Sequence, residues 1–86
     1  MKHAGTEVLD TLEGVLRRMR SIDGLKEETR GAFYLRGKAF LHFHEDPAGL
    51  FADLRAGSEW QRLPVNTRTE RTTLLARVKE ILRTPV

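Results

Sequence analysis

Three residues in the middle of the chain have side chains of the types that commonly bind divalent metals. His42 and His44 are separated by Phe43, and Asp53 lies further along the chain. Side chains two positions apart on a strand point to the same face, and imidazole and carboxylate groups are common zinc ligands. One hypothesis is therefore a metal site at His42, His44 and Asp53, with Asp53 acting as a ligand or orienting an imidazole. The other is a pair of partly exposed sheet histidines, one bonded to Asp53, that tunes an interface near neutral pH.

Residue types that support catalysis are otherwise scarce. The chain has no cysteine, which excludes thiolate catalysis, disulfides and cysteine metal sites. Ser21 and Ser58 occupy turn-like positions without a histidine nearby in sequence, and there is no glycine-rich phosphate loop. We therefore expect a protein that is not an enzyme, with no catalytic residue and no cofactor.

An amphipathic helix is predicted over residues 7–21, before the histidines. Thr6 is expected to cap its start, and Asp23-Gly24 is expected to end it. Its apolar side chains recur at helical spacing: Val8, Leu9, Leu12, Val15, Leu16 and Met19.

A second amphipathic helix is predicted at the end of the chain. Thr67 and Glu70 have the spacing of a capping box, and Thr84-Pro85 is expected to stop the helix. Its apolar stripe comprises Leu74, Leu75, Val78, Ile81 and Leu82.

Turn residues divide the segment between the helices into short strands. The predicted strands are Leu25–Arg30, Ala32–Leu35, Lys38–His44, Leu50–Arg55 and Glu59–Val65. Arg36-Gly37 is expected to form a two-residue hairpin loop, and residues 45–49 a longer loop. We therefore predict a single α+β domain over residues 1–86, with an N-terminal helix, an antiparallel sheet of about five strands and a C-terminal helix, both helices lying on one face of the sheet.

Alternation along the strands assigns side chains to two faces. Leu41 and Phe43 are expected to lie opposite Leu54 and Ala52 on the apolar face that the helices cover. The two-residue loop then puts Tyr34 opposite Ala39 and Ala32 opposite Leu41 on that face. On the other face, Phe33 lies opposite Phe40, His42 opposite Asp53 and His44 opposite Phe51. The full predicted membership of this open face is Phe33, Leu35, Phe40, His42, His44, Phe51, Asp53, Arg55, Trp60 and Arg62.

The open face is the predicted working surface, because two helices on one face leave the other uncovered. A large exposed apolar patch usually marks an interface, and aromatic residues with arginine are enriched at protein interfaces. We predict a non-enzymatic interaction module that binds a protein partner or a second copy in a homodimer. The alternative is a sheet that curls around one core and buries some of these aromatics. The predicted interface residues are Phe33, Phe40, Phe51, Trp60, His42, His44, Arg55 and Arg62.

Positive charge is concentrated in the last third of the chain. Residues 1–54 carry 8 basic and 9 acidic side chains (8 − 9 = −1), and residues 55–86 carry 7 and 3 (7 − 3 = +4), which gives the net +3. Such a bias favours polyanions, and Arg55, Arg62, Trp60 and Phe51 would combine charge with base stacking. Nucleic-acid binding is therefore an alternative function, and a solvated basic surface is the simpler interpretation. No apolar run approaches the roughly 20 residues of a membrane span, so we expect a cytoplasmic protein without a membrane partner.

The segment from Gly31 to His44, Gly-Ala-Phe-Tyr-Leu-Arg-Gly-Lys-Ala-Phe-Leu-His-Phe-His, resembles the hairpin of MmcQ/YjbR-like proteins. Leu50–Arg55 and the arginine-rich last helix also fit that family. The resemblance implies the helix–sheet–helix plan shared with CyaY-like, frataxin-type proteins, and it implies DNA binding, with which that family is often labelled. The acidic residues of the first helix are balanced by three arginines, so frataxin-like iron binding is not expected.

Overall fold

An antiparallel sheet forms the middle of the fold, with helices before and after it in the chain, which confirms the predicted α+β class. The computed structural model describes residues 1–83. Strands β2 to β6 lie side by side in chain order, and β1 pairs with β4. The elements are β1 (Lys2–His3), α1 (Thr6–Thr11), α2 (Glu13–Arg20), β2 (Leu25–Thr29), β3 (Ala32–Leu35), β4 (Lys38–Asp46), β5 (Gly49–Ala56), β6 (Glu59–Pro64) and α3 (Arg68–Arg83).

The turn between β3 and β4 is the predicted two-residue hairpin loop. Arg36 and Gly37 both have positive φ, at 52° and 80°, as a type I′ turn requires. The next turn is tighter than predicted, because β4 continues through Asp46 and β5 begins at Gly49. The predicted register between these two strands is confirmed, with Leu41 opposite Leu54 and Phe43 opposite Ala52.

A β-bulge at Phe40 overturns the predicted register of the first hairpin. Tyr34 pairs with Ala39 as expected, but Phe33 pairs with Leu41 and Ala32 with His42, so the register skips Phe40. One extra residue on one strand shifts every later pair by one and exchanges the faces of the partner strand. The predictions that Phe33 lies opposite Phe40 and Ala32 opposite Leu41 are therefore wrong.

The bulge changes which side chains are buried. Phe33 takes the core position beside Leu41 and is 0 % exposed, and Phe40 is 2 % exposed, so both belong to the core rather than to the open face. Leu35 also packs against the core. Tyr34 and Ala39, predicted for the core, lie on the opposite face.

One cluster of buried apolar side chains joins the helices to the sheet. It draws on all three helices, on alternate residues of β5, and on Phe40, Leu41 and Phe43 of β4, where the bulge places two neighbours in the core. The placement of both helices on one face of the sheet stays a prediction. The cluster comprises Leu9, Leu12, Val15, Leu16, Met19, Phe33, Phe40, Leu41, Phe43, Ala52, Leu54, Val65, Leu74, Leu75 and Val78.

The start of the chain differs from the predicted single helix. Gly5, not Thr6, is the N-cap of α1, and its backbone nitrogen donates to the Glu45 carboxylate at 2.7 Å. The helix is interrupted at Leu12, whose backbone lies outside the helical region at φ −91° and ψ 3°. Before α1, β1 pairs with the far end of β4, opposite His44 and Glu45, a strand that sequence analysis did not predict.

The predicted capping box of α3 is confirmed. The Glu70 backbone nitrogen donates to Thr67 Oγ1 at 3.0 Å, and the Thr67 backbone nitrogen donates to Glu70 Oε1 at 3.0 Å. These reciprocal bonds satisfy donors that the first turn of a helix leaves free. The predicted stop at Thr84-Pro85 lies outside the described residues. Within residues 1–83, every helix is too short or too polar to cross a bilayer.

Truncating Phe33 tests the bulge. Phe33→Ala should lower the free energy of unfolding by about 3–5 kcal/mol, the usual cost of emptying a buried phenylalanine site. Tyr34→Ala is the matched control. Because Tyr34 is half-exposed, its truncation should lower the free energy of unfolding much less. Urea unfolding of both variants measures the difference. A larger loss of unfolding free energy in Tyr34→Ala than in Phe33→Ala would contradict the bulge and support the register without it.

Candidate functional site

The open face of the sheet keeps its predicted polar residues, whereas Phe33, Leu35 and Phe40 belong to the core. Phe33 and Phe40 are buried in the core, whereas Trp60 is 45 % exposed. The face therefore carries charge and imidazole rather than a broad aromatic patch. The predicted residues that the register keeps here are His42, His44, Phe51, Asp53, Arg55, Trp60 and Arg62.

Asp53 is the hub of the polar contacts on this face. Arg62 donates to both carboxylate oxygens, from Nε to Oδ1 at 2.8 Å and from a terminal nitrogen to Oδ2 at 2.9 Å. His44 Nε2 lies 3.0 Å from Asp53 Oδ2. These contacts, with the Arg62 hydrogen bonds foremost, hold the pKa of Asp53 below its usual range against the opposing effect of burial. His42 is opposite Asp53 in the register, as predicted, but the histidine bound to the carboxylate is His44.

A third histidine joins the predicted pair. His3 lies on β1 and pairs with His44, and its ring centroid is 4.8 Å from that of His44 and 5.9 Å from that of His42. One ring nitrogen from each of the three histidines falls within 4.8 Å of the others. The structure therefore brings together His3, His42 and His44. Asp53 is not one of the three, but it contacts His44.

His42 is the member of this group that has a buried nitrogen without a hydrogen-bond partner in the described part of the chain. Its Nε2 atom is buried and has no hydrogen-bond partner among residues 1–83, and its ring centroid is 5.5 Å from that of Trp60. Burial, followed by the nearby His3 and His44, lowers the pKa of His42. A neutral imidazole with a free nitrogen is the form in which histidine binds metals.

The two arginines of the open face are already engaged within the fold. Arg55 donates from Nε to the Ala39 carbonyl oxygen at 2.7 Å, and its guanidinium carbon lies 4.8 Å from the centroid of the Trp60 ring, within cation–π distance. Arg62 is committed to Asp53. Of the residues predicted to bind a single-stranded nucleic acid, Arg55 and Trp60 therefore contact each other, and Arg62 binds a carboxylate.

A second candidate site lies between the helices. Two adjacent clefts share Arg18, Thr72 and Leu75, and together they run along α3 where it faces α1 and α2. We call this surface the basic groove. Its lining residues are Thr11, Gly14, Val15, Arg18, Ser21, Arg68, Arg71, Thr72, Leu75, Ala76, Lys79 and Arg83.

The basic groove contains five cations, and none of its described lining residues is acidic. Arg18, Arg68, Lys79 and Arg83 are exposed and take part in none of the ion pairs found among residues 1–83. Arg71 is bonded to backbone carbonyl oxygens of Val65 and Asn66. The groove is therefore a concentrated positive surface.

Carboxylates neutralise cations elsewhere on the molecule. Arg20 binds Glu13 and Glu27, and Arg30 binds Asp10 and Glu13. Of the ten ion pairs found among residues 1–83, six join a lysine or an arginine to a carboxylate within residues 1–46. A seventh joins Arg62 to Asp53. The described lining of the basic groove includes no such carboxylate, so its cations lie together without neutralisation.

Sequence analysis missed both His3 and the basic groove. His3 sits in a two-residue strand that has no periodic pattern of its own. The groove had a signal in the spacing of Arg68, Thr72, Lys79 and Arg83 along one side of α3. The facing residues of α1 and α2 become its other wall only through tertiary packing.

No family model matches the chain, and neither the curated proteins nor the solved structures searched include a match. The resemblance to MmcQ/YjbR-like proteins stays a prediction.

We expect His42 to titrate below its ordinary pKa of 6.5, because burial disfavours the imidazolium. The unfolded chain then binds the proton first as the pH falls. The contribution of His42 to stability is therefore present above pH 6.5 and is lost as the pH falls towards the folded-state pKa. NMR titration of the histidine ring protons, with a chelator present and with His42→Gln for assignment, measures that pKa.

Trp60→Ala should raise the pKa of His42 by exposing its ring, whereas Trp60→Phe, which keeps an aromatic cover, is the control. A His42 pKa at or above the ordinary value in the unmodified protein would contradict the burial of this ring.

Proposed function

We propose that the chain is a non-enzymatic binding module that holds the phosphate backbone of a nucleic acid in the basic groove. The observation that carries the proposal is the set of exposed cations, Arg18, Arg68, Lys79 and Arg83, that line one groove without a carboxylate partner among residues 1–83. Phosphate contacts dominate the affinity of proteins for nucleic acids.

The shape of the groove favours an extended polyanion over a single phosphate. Arg68 and Arg83 lie at opposite ends of α3, and the helical rise separates them by about 22 Å. Along one strand of a B-form duplex that distance covers about six phosphates. Cations spaced along such a length can contact several phosphates at once.

The chemistry of the groove favours binding that does not depend on base sequence. Its described lining residues include no aromatic side chain on which a base could stack. Arginine, lysine and hydroxyl groups, here with Thr11, Ser21 and Thr72, typically contact phosphate and sugar and fix the position of the nucleic acid without reading bases.

The basic groove supports this function better than the open face does. Arg55 and Arg62 would have to leave Trp60 and Asp53 before binding phosphate. The exposed groove cations Arg18, Arg68, Lys79 and Arg83 form no ion pair among residues 1–83, so binding phosphate would break no ion pair.

Fluorescence anisotropy with labelled single-stranded and duplex DNA, over a series of salt concentrations, tests the proposal. Four phosphate contacts on duplex DNA predict a slope of log affinity against log salt of about −3.6. The double variant R68E/K79E should bind at least roughly tenfold more weakly, and its salt slope should be shallower by about two.

The matched control is R36E/K38E, which makes the same change in net charge at the exposed β3–β4 turn. It should keep most of the affinity. Equal losses in the two double variants would show attraction by net charge alone and refute a groove site. Absence of DNA binding at low salt would refute the function itself, and so would binding of a phosphopeptide or heparin without binding of DNA.

Self-association or binding of a protein partner through the open face is the second candidate. Trp60 favours it, because this side chain is 45 % exposed and tryptophan is among the residues that contribute most at interfaces. The exposed apolar area is smaller than sequence analysis predicted, since Phe33 and Phe40 are buried.

If the open face forms a homodimer, light scattering should give twice the chain mass at high protein concentration. Trp60→Ala should then shift the equilibrium to monomer. Lys38→Ala, an exposed substitution away from Trp60, is the control and should leave it unchanged. A monomeric unmodified protein at high concentration would exclude the homodimer.

A further inference from the structure

We propose that His3, His42 and His44 form a zinc site that joins β1 to β4. This site lies on the open face and is independent of the basic groove, so it goes beyond the proposed function. The group differs from the metal site predicted from the sequence, because His3 replaces Asp53 as the third ligand.

The spacing of the histidines is close to that of a bound metal. One nitrogen from each ring already lies within 4.8 Å of the other two. Zinc–nitrogen bonds of about 2.0–2.1 Å in a tetrahedron place the nitrogens about 3.4 Å apart. His3 is exposed and belongs to a two-residue strand, so its side chain can move the remaining distance more readily than the half-buried rings of His42 and His44.

An unpartnered nitrogen provides a second, separate observation. His42 Nε2 is buried and has no hydrogen-bond partner among residues 1–83. A buried polar atom without a partner costs free energy, and such atoms are rare in folded proteins. Coordination of a metal by this nitrogen would remove the cost.

Asp53 has the position of a carboxylate that orients a metal ligand. It contacts Nε2 of His44 at 3.0 Å, which leaves the other ring nitrogen of His44 for zinc. Metal-bound histidines usually have such a partner on the nitrogen that does not bind the metal. Arg62 in turn holds both oxygens of Asp53, so Asp53 is a positioning residue in this site.

The surroundings set limits on the affinity. Arg55 and Arg62 bring positive charge to the same face, which disfavours a dication, and Asp53 is the carboxylate that offsets them. Three imidazoles leave a fourth tetrahedral position for solvent. We therefore expect weaker binding than at four-ligand structural zinc sites.

Zinc would also stabilise the start of the fold. His3 and His44 are distant in the chain but paired between β1 and β4. A metal that binds only the folded arrangement raises the free energy of unfolding in proportion to the logarithm of its concentration above the dissociation constant. The melting temperature should therefore rise with added zinc.

Calorimetric titration with zinc, together with the visible absorption of the cobalt(II) form, tests the site. The protein should bind one metal ion, and the cobalt spectrum should show the intense bands of tetrahedral coordination. His3→Ala and His42→Ala should each lose at least about 100-fold in affinity, and Asp53→Asn about 10- to 100-fold.

Lys2→Ala is the matched control for His3→Ala, since it changes the neighbouring residue of β1 and keeps all three imidazoles. Its zinc affinity should equal that of the unmodified protein. Nitrogen-15 NMR of the unmodified protein adds a measurement that does not depend on how the variants fold, because zinc should shift one ring nitrogen of each of the three histidines.

Unchanged zinc affinity in His42→Ala would overturn the site, and so would zinc shifts that miss any one of the three rings. Absence of zinc binding at the protein concentrations used for NMR would overturn it as well. None of these results bears on the basic groove, which DNA binding tests separately.

Discussion

The extra residue in β4 at Phe40 is the constraint on which both faces of the sheet depend. Because the register skips Phe40, Phe33 lies on the buried face of β3 and Tyr34 on the other face. Two large aromatic rings thereby enter the core, where a chain of 86 residues has few other side chains of that size to bury. Without the bulge, those rings would lie on the open face and give it a broad apolar surface.

The open face is polar as a consequence, and its contacts connect distant parts of the chain. Asp53 binds both Arg62 and His44, and Arg55 lies over one side of the Trp60 ring. The strand β3 begins at Ala32, which pairs with His42, whereas β4 continues to Asp46. That difference in length leaves an edge of β4 free, and β1 pairs with it, which brings His3 to the other histidines.

Positive charge collects in the basic groove because the carboxylates of the first helices pair with cations outside it. Arg20 and Arg30 together hold the pKa of Glu13 at about 2, and Arg20 also binds Glu27, whose carboxylate accepts from the Gly31 backbone nitrogen. This network joins the first helices to the β2–β3 hairpin. The cations of the basic groove have no carboxylates of their own among residues 1–83, so the small net charge of +3 conceals a strongly positive groove.

The sequence by itself determined the features that depend on neighbouring residues. The helical stripes, the capping box of Thr67 and Glu70, the Arg36-Gly37 turn and the β4–β5 register follow from periodicity and turn chemistry. The tertiary structure decided the bulge, the pairing of β1 and the walls of the basic groove. Alternation along a strand cannot reveal an inserted residue when both neighbours are apolar, as Ala39 and Leu41 are beside Phe40. The two residues of β1 are too few to show a hydrophobic repeat. A groove between helices exists only once their faces are packed together.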